Sequence, residues 1–114
     1  MENQIEFIKN TVVVKLNGEI DQHAATRLRD RIDIEIVNSP GKNLIIDLDG
    51  VTLMDSSGIG LIVGRYKNVK SLGGNLALSG GNDYIRKMID LSGIKKIVNM
   101  YSSIEDAKKS FEKN

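Results

Sequence analysis

At 114 residues and 12.6 kDa the chain fits one domain spanning residues 1–114, and its 40% apolar and 27% charged residues suffice for a core and a wetted surface, which excludes a disordered chain. Sixteen Lys and Arg against fifteen Asp and Glu give a net charge of +1 with no cationic cluster, which argues against direct nucleic-acid binding, and the absence of Cys excludes a disulfide framework, a thiolate nucleophile and cysteine-ligated metal. Apolar runs such as Leu44 to Ile46 and Ile59 to Val63 fall far short of the roughly 20 residues of a membrane span, and Glu2 and Glu6 do not suit a secretory leader, so a cytoplasmic protein with no membrane anchor is expected.

In chain order, Ile5 to Ile8 and the β-branched run Thr11 to Asn17 predict an antiparallel edge pair joined across Lys9-Asn10. Asp21 then caps a helix whose apolar positions Ala24, Ala25, Leu28, Ile32 and Ile36 have three-to-four spacing, and Pro40-Gly41 stops it. Leu44 to Leu48 reads as a central strand covered on both faces. After a short link, Asp55-Ser56-Ser57-Gly58 opens a helix with Ile59, Ile62, Val63, Tyr66 and Val69 on one face, closed by Gly73-Gly74. A short strand at Leu76 to Leu78, a helix carrying Ile85, Met88 and Ile89, and a strand at Lys96 to Val98 follow. Ser102 and Glu105 have capping-box spacing before a last helix with Ile104, Ala107 and Phe111 inward. The pattern predicts an α/β fold: one mixed sheet with amphipathic helices packed on it.

The chemical inventory is thin. His23 is the one histidine and lacks a partner in sequence, so it reads as a surface residue rather than a catalytic one. Asp47, Asp49 and Asp55 have the residue type of an oxygen-ligand cation site without a spacing that demands it. Gly58, Gly60 and Gly64 match neither the dinucleotide fingerprint nor the phosphate loop, and are read as allowing close packing, with Arg65, Lys67 and Lys70 solubilising the opposite helical face. At Ser56 and Ser57 two readings fit. One hydroxyl caps the helix, or one is a phosphoacceptor whose added charge of about −1.5 to −2 alters partner binding beside Asp55.

The segments Asn17-Gly18-Glu19-Ile20-Asp21 and Asp47 through Gly60, with its Asp55-Ser56-Ser57-Gly58 core, resemble the STAS-domain family of anti-sigma factor antagonists. The resemblance continues through Gly64-Arg65-Tyr66-Lys67, Gly73-Gly74 and Leu91-Ser92-Gly93, and the first of these segments is similar to the sporulation branch in particular. It implies a STAS-like single domain that is no enzyme. The unphosphorylated form would bind an anti-sigma factor serine kinase and release the sporulation sigma factor, and phosphorylation of Ser56 would switch it off. A serine phosphatase would restore it. On the same resemblance, Asp21 and Asp55 shape an acidic partner-binding edge, and Ser57, Gly58 and Gly60 set the helix start and its contact with the partner. The chain would have no cofactor of its own, ATP and divalent metal belonging to the partner enzymes. A stress-response antagonist of the same family, or a small domain binding a nucleotide or phosphometabolite near Ser56 and Gly58, are the alternatives.

Overall fold

The computed structural model describes residues 3–8 and 10–112. Its elements run β1 (Gln4–Ile8), β2 (Thr11–Ile20), α1 (Gln22–Asn38), β3 (Asn43–Met54), α2 (Ser56–Ser71), β4 (Leu76–Ser79), α3 (Asp83–Ser92), a short 3-10 turn (Ile94–Lys96), β5 (Asn99–Tyr101) and α4 (Ile104–Phe111). The five strands lie in sequence order in one sheet, β1 antiparallel to β2 and every later neighbour parallel. The expected mixed sheet, the β1–β2 edge pair and the central place of β3 are therefore observed. Lys9 of the predicted hairpin turn lies outside the described residues.

Parallel strands covered on both faces need apolar side chains in both directions, and β2 and β3 supply them. Val12, Val14, Leu16, Leu44, Ile46, Leu48, Leu76 and Leu78 face a core built with Leu28, Ile32 and Ile36 of α1, Leu61 and Ile62 of α2, and Ile85 and Ile89 of α3. The alternate residues Val13, Ile45 and Ala77 face α4, where Ala107 is buried and Ile104 and Phe111 pack alongside. Three helices thus cover one face and a single two-turn helix the other.

Three expectations need correction. The central strand does not end at Leu48 but runs to Met54, so Asp49 lies inside it and no link precedes α2. The cause is bulging: β2 advances from Lys15 to Asn17 while β3 advances from Asp47 to Gly50, and again from Gly18 to Glu19 while β3 goes from Val51 to Leu53. Each bulge adds one residue to β3 and re-aims its side chains, so Leu48, Val51 and Met54 reach the same core at steps of three. The strand placed at Lys96 to Val98 is instead a tight turn. Left-handed Gly93 starts it, and the N–H groups of Ile97 and Val98 both donate to Ile94 O, which delays β5 to Asn99. At α4 the capping register is one residue later than predicted: Ser103 Oγ accepts from Asp106 N, while Ser102 Oγ donates to the Asp106 carboxylate.

One carboxylate is embedded in the sheet. Asp47 is 6% exposed and pairs in register with Ser79, whose hydroxyl donates to Asp47 Oδ1 at 2.8 Å. Desolvation raises the Asp47 pKa above the ordinary carboxylate value, the Ser79 hydrogen bond opposing the shift only in part. The native state therefore keeps a proton that the unfolded chain has lost between those two pKa values, and stability falls as pH rises through that window. Asp47→Asn keeps an acceptor for Ser79 and removes the charge. In urea titrations it is expected to match or exceed the parent in stability at neutral pH, with the difference vanishing in acid; a loss of stability confined to neutral pH would contradict this.

Candidate docking edge at the first turns of α1 and α2

β2 and β3 end level with one another, Glu19 opposite Leu53 and Ile20 opposite Met54, and each strand passes directly into a helix through an Asp. Asp21 has extended backbone and accepts from Ala24 N at 2.9 Å, and Asp55, also extended, accepts from Ser57 N at 2.8 Å. Both are N-caps, which satisfy amide donors that the first helical turn leaves unpaired. The Ala24 amide is the largest influence on Asp21 and holds its carboxyl below the ordinary value, so it stays ionised at neutral pH.

Between the two caps lies a shallow groove of about 50 Å³ lined by Glu19, Ile20, Asp21, Leu53, Met54 and Asp55. Ile20 and Met54 form its buried floor, Leu53 is 49% exposed at its rim, and the three carboxylates supply negative charge. The structure thus places Asp21 and Asp55 on one groove, together with Glu19 and Leu53, which sequence reading missed. Leu53 is an apolar residue at an exposed position, legible only once the bulge that breaks the alternation of β3 is known.

Neither serine caps α2, because Asp55 occupies that position. Ser56 is the first helical residue and is exposed, whereas Ser57 is half-buried and its amide is engaged by Asp55. Gly58 packs as expected: a Cβ there would overlap the Met54 side chain, with Cγ at 2.1 Å and Sδ at 2.5 Å. Gly60 and Gly64 depart from the close-packing expectation, since a Cβ at either would meet nothing within 4 Å.

The remaining candidates serve the fold. Asp49 Oδ1 accepts from Gly81 N at 2.8 Å and so ties β3 to the turn after β4, while Asp47 belongs to Ser79 and Asp55 to α2. No group of three or more His, Asp or Glu side chains placed to hold a metal ion occurs among the described residues. His23 is exposed in the first turn of α1. Arg65 does not solubilise a free face: its side chain is 11% exposed, with Nε 2.8 Å from Asp33 Oδ1 of α1 in an ion pair that is not an aligned hydrogen bond. Asn68 Nδ2 donates to the same oxygen at 3.0 Å, so two α2 side chains clasp α1.

The STAS domain family matches residues 2–107. The chain is 31% identical to the anti-sigma F factor antagonist of Paenibacillus polymyxa, over 90% of its length and 88% of the relative's. It is 34% identical to the anti-sigma-B factor antagonist of Bacillus subtilis, over 85% and 87%. The chain belongs to the STAS-domain family of anti-sigma factor antagonists. Its fold superposes on the anti-sigma factor antagonist SpoIIAA solved in its unphosphorylated form, with TM-score 0.84 and 29% identity, covering 97% of this chain and 96% of that one. The phosphorylated form of the Bacillus SpoIIAA gives TM-score 0.75 at 30% identity, covering 96% and 98%. No described helix of this antagonist is long and apolar enough to cross a membrane.

The three glycines of α2 make opposite predictions in this antagonist. Gly58→Ala forces the buried Met54 aside and is expected to destabilise by about 1–3 kcal/mol. Gly60→Ala and Gly64→Ala fit in open space and should each stabilise by up to about 1 kcal/mol through helix propensity. Denaturation midpoints check the order; a destabilised Gly60→Ala would refute it.

Proposed function

We propose that this antagonist is a phosphorylation-controlled binding module. Unphosphorylated, it docks the edge formed by Asp21, Asp55, Ser57, Gly58 and Gly60 on an anti-sigma factor that is also a serine kinase, and the sigma factor is released. The kinase then transfers the γ-phosphoryl group of its ATP to Ser56 Oγ: the new P–O bond forms as the bond to the ADP oxygen breaks, and the hydroxyl proton passes to a base on the kinase. A serine phosphatase hydrolyses the ester and restores the docking form. The chain is substrate and partner in this cycle, while nucleotide and divalent metal are the partners' own.

The observation that carries the reading is the position of Ser56, exposed as the first residue of α2 and adjacent in the chain to Asp55 in the acidic groove. A phosphoryl-transfer enzyme needs only an accessible hydroxyl from its substrate, and of the two neighbouring serines Ser56 is the more open. Phosphate there adds about −1.5 to −2 charge. The amides of the first turn of α2 favour that anion, and Asp55 and Asp21 oppose it, so the modified edge presents a much denser negative field to any partner surface that fits the unmodified one. That SpoIIAA has been solved in both unphosphorylated and phosphorylated forms supports the same reading.

Release of the sporulation sigma factor is the first reading of the partner branch, drawn from Gly64-Arg65-Tyr66-Lys67. Within that segment Arg65 pairs with Asp33 and Tyr66 packs against the core, so two of its four residues serve the fold. The identity to the anti-sigma-B factor antagonist therefore favours, as a second reading, a stress-response partner. The groove beside Ser56 is small and carries three carboxylates, which disfavours a nucleotide phosphate there.

Incubation with a partner anti-sigma kinase and ATP, followed by intact and peptide mass spectrometry, is expected to show one phosphate on Ser56. Ser57→Ala should still accept it. Full incorporation into Ser56→Ala would reject the assignment.

A further inference from the structure

At the opposite end of α2 from Ser56 the edge of the sheet is incompletely covered. β5 pairs with β4 only from Ala77 to Ser79, whereas β4 begins at Leu76, and the chain before β5 turns away in the 3-10 turn. A cleft of about 220 Å³ opens there, bounded by Tyr66 and Lys70 of α2 on one face of the sheet and by Tyr101 and Phe111 on the other. Its contents differ in kind from those of the docking edge. Lys70 is the one charged group among the described residues that line it, and no carboxylate faces it. Lys70 Nζ donates to Asn75 Oδ1 at 3.1 Å, which uses one of three donors and neutralises none of the charge. The last carbonyls of α2 are not its acceptors either, since Val69 O and Lys70 O receive the N–H groups of Leu72, Gly73 and Gly74.

An ammonium without a counter-charge and a mostly polar lining, in which Asn75, Asn99 and Ser110 stand beside two tyrosines, define a ligand by complement: a small anion rich in hydrogen-bonding groups. We propose that this cleft binds a small polar organic anion, its carboxylate or phosphate-ester head against Lys70 and its remaining polar groups against the Asn, Ser and Tyr residues of the lining. The volume lies below the roughly 300–1,000 Å³ of drug-sized pockets, which limits the ligand to a small metabolite. This site is independent of the proposed switch. It shares only the helix α2 with Ser56, and the docking groove, with Glu19, Asp21 and Asp55, repels the same ligand.

The test is a titration of the isotope-labelled 114-residue chain by amide NMR at constant ionic strength, with glycolate and with inorganic phosphate as probes. Saturable shifts are expected at Tyr66, Lys70, Ala77 and Tyr101, from glycolate if the head is a carboxylate and from phosphate if it is a phosphate ester. Lys70→Met keeps the aliphatic stem at an exposed position and should weaken the probe about tenfold or more, whereas Tyr101→Phe should weaken it a few-fold. Ser56→Ala should bind the probe as the parent does, which separates failure of this site from failure of the switch. Shifts that never saturate, saturation unchanged in Lys70→Met, or shifts confined to the first turns of α1 and α2 would each overturn the proposal.

Discussion

The parallel pairing of β2 with β3, including the two extra residues that β3 accommodates as bulges, is the constraint on which the candidate docking edge depends. Without those residues the twelve-residue β3 and ten-residue β2 could not end level, Ile20 against Met54, and Asp21 and Asp55 would not cap neighbouring helices side by side. The bulges also turn Leu48, Val51 and Met54 into the core shared by α1 and α2. Gly58 then lets α2 start directly over Met54. Sheet register, helix caps and the exposed hydroxyl of Ser56 are thus consequences of one local arrangement, and the chemistry of the edge follows from where two strands happen to stop.

Polar interactions elsewhere hold this arrangement rather than perform chemistry. Asp33 of α1, clasped by Arg65 and Asn68 of α2, fixes the two helices whose first turns carry the caps. Asp49 fastens β3 to the turn following β4. The Asp47–Ser79 pair is different, because burying that carboxylate works against the folded state at neutral pH even with its hydrogen bond.

Much of this was legible in the sequence because the periodicities are clean. All five apolar positions predicted for α1 are buried, Asp21 caps it, and the β-branched run of β2 is buried on both faces. What escaped did so for identifiable reasons. A bulged strand loses its alternation, so residues 49–54 read as a link although they lie within β3. Ser, Asp and Asn are near-equivalent as caps, so the choice of Asp55 over Ser56 and of Ser103 over Ser102 depends on backbone direction that composition does not encode. Lys96 to Val98 has strand composition, but the hydrogen bonds set up by left-handed Gly93 override it. The Arg65–Asp33 pair joins residues far apart in sequence, with no local spacing to announce it. In the candidate site, Asp21, Asp55 and Ser56 were readable as a motif by family resemblance, whereas Glu19 and Leu53 emerged only from the register between strands.

Charge on Ser56 is proposed to reverse docking. Titration calorimetry of the partner anti-sigma kinase with the unmodified antagonist and with antagonist carrying a genuine phosphate on Ser56 measures that directly. Removing or mismatching a charge in a buried interface typically changes binding by about 2–5 kcal/mol, so the phosphorylated form is expected to bind at least tenfold more weakly. Equal affinity of the two forms would contradict the account.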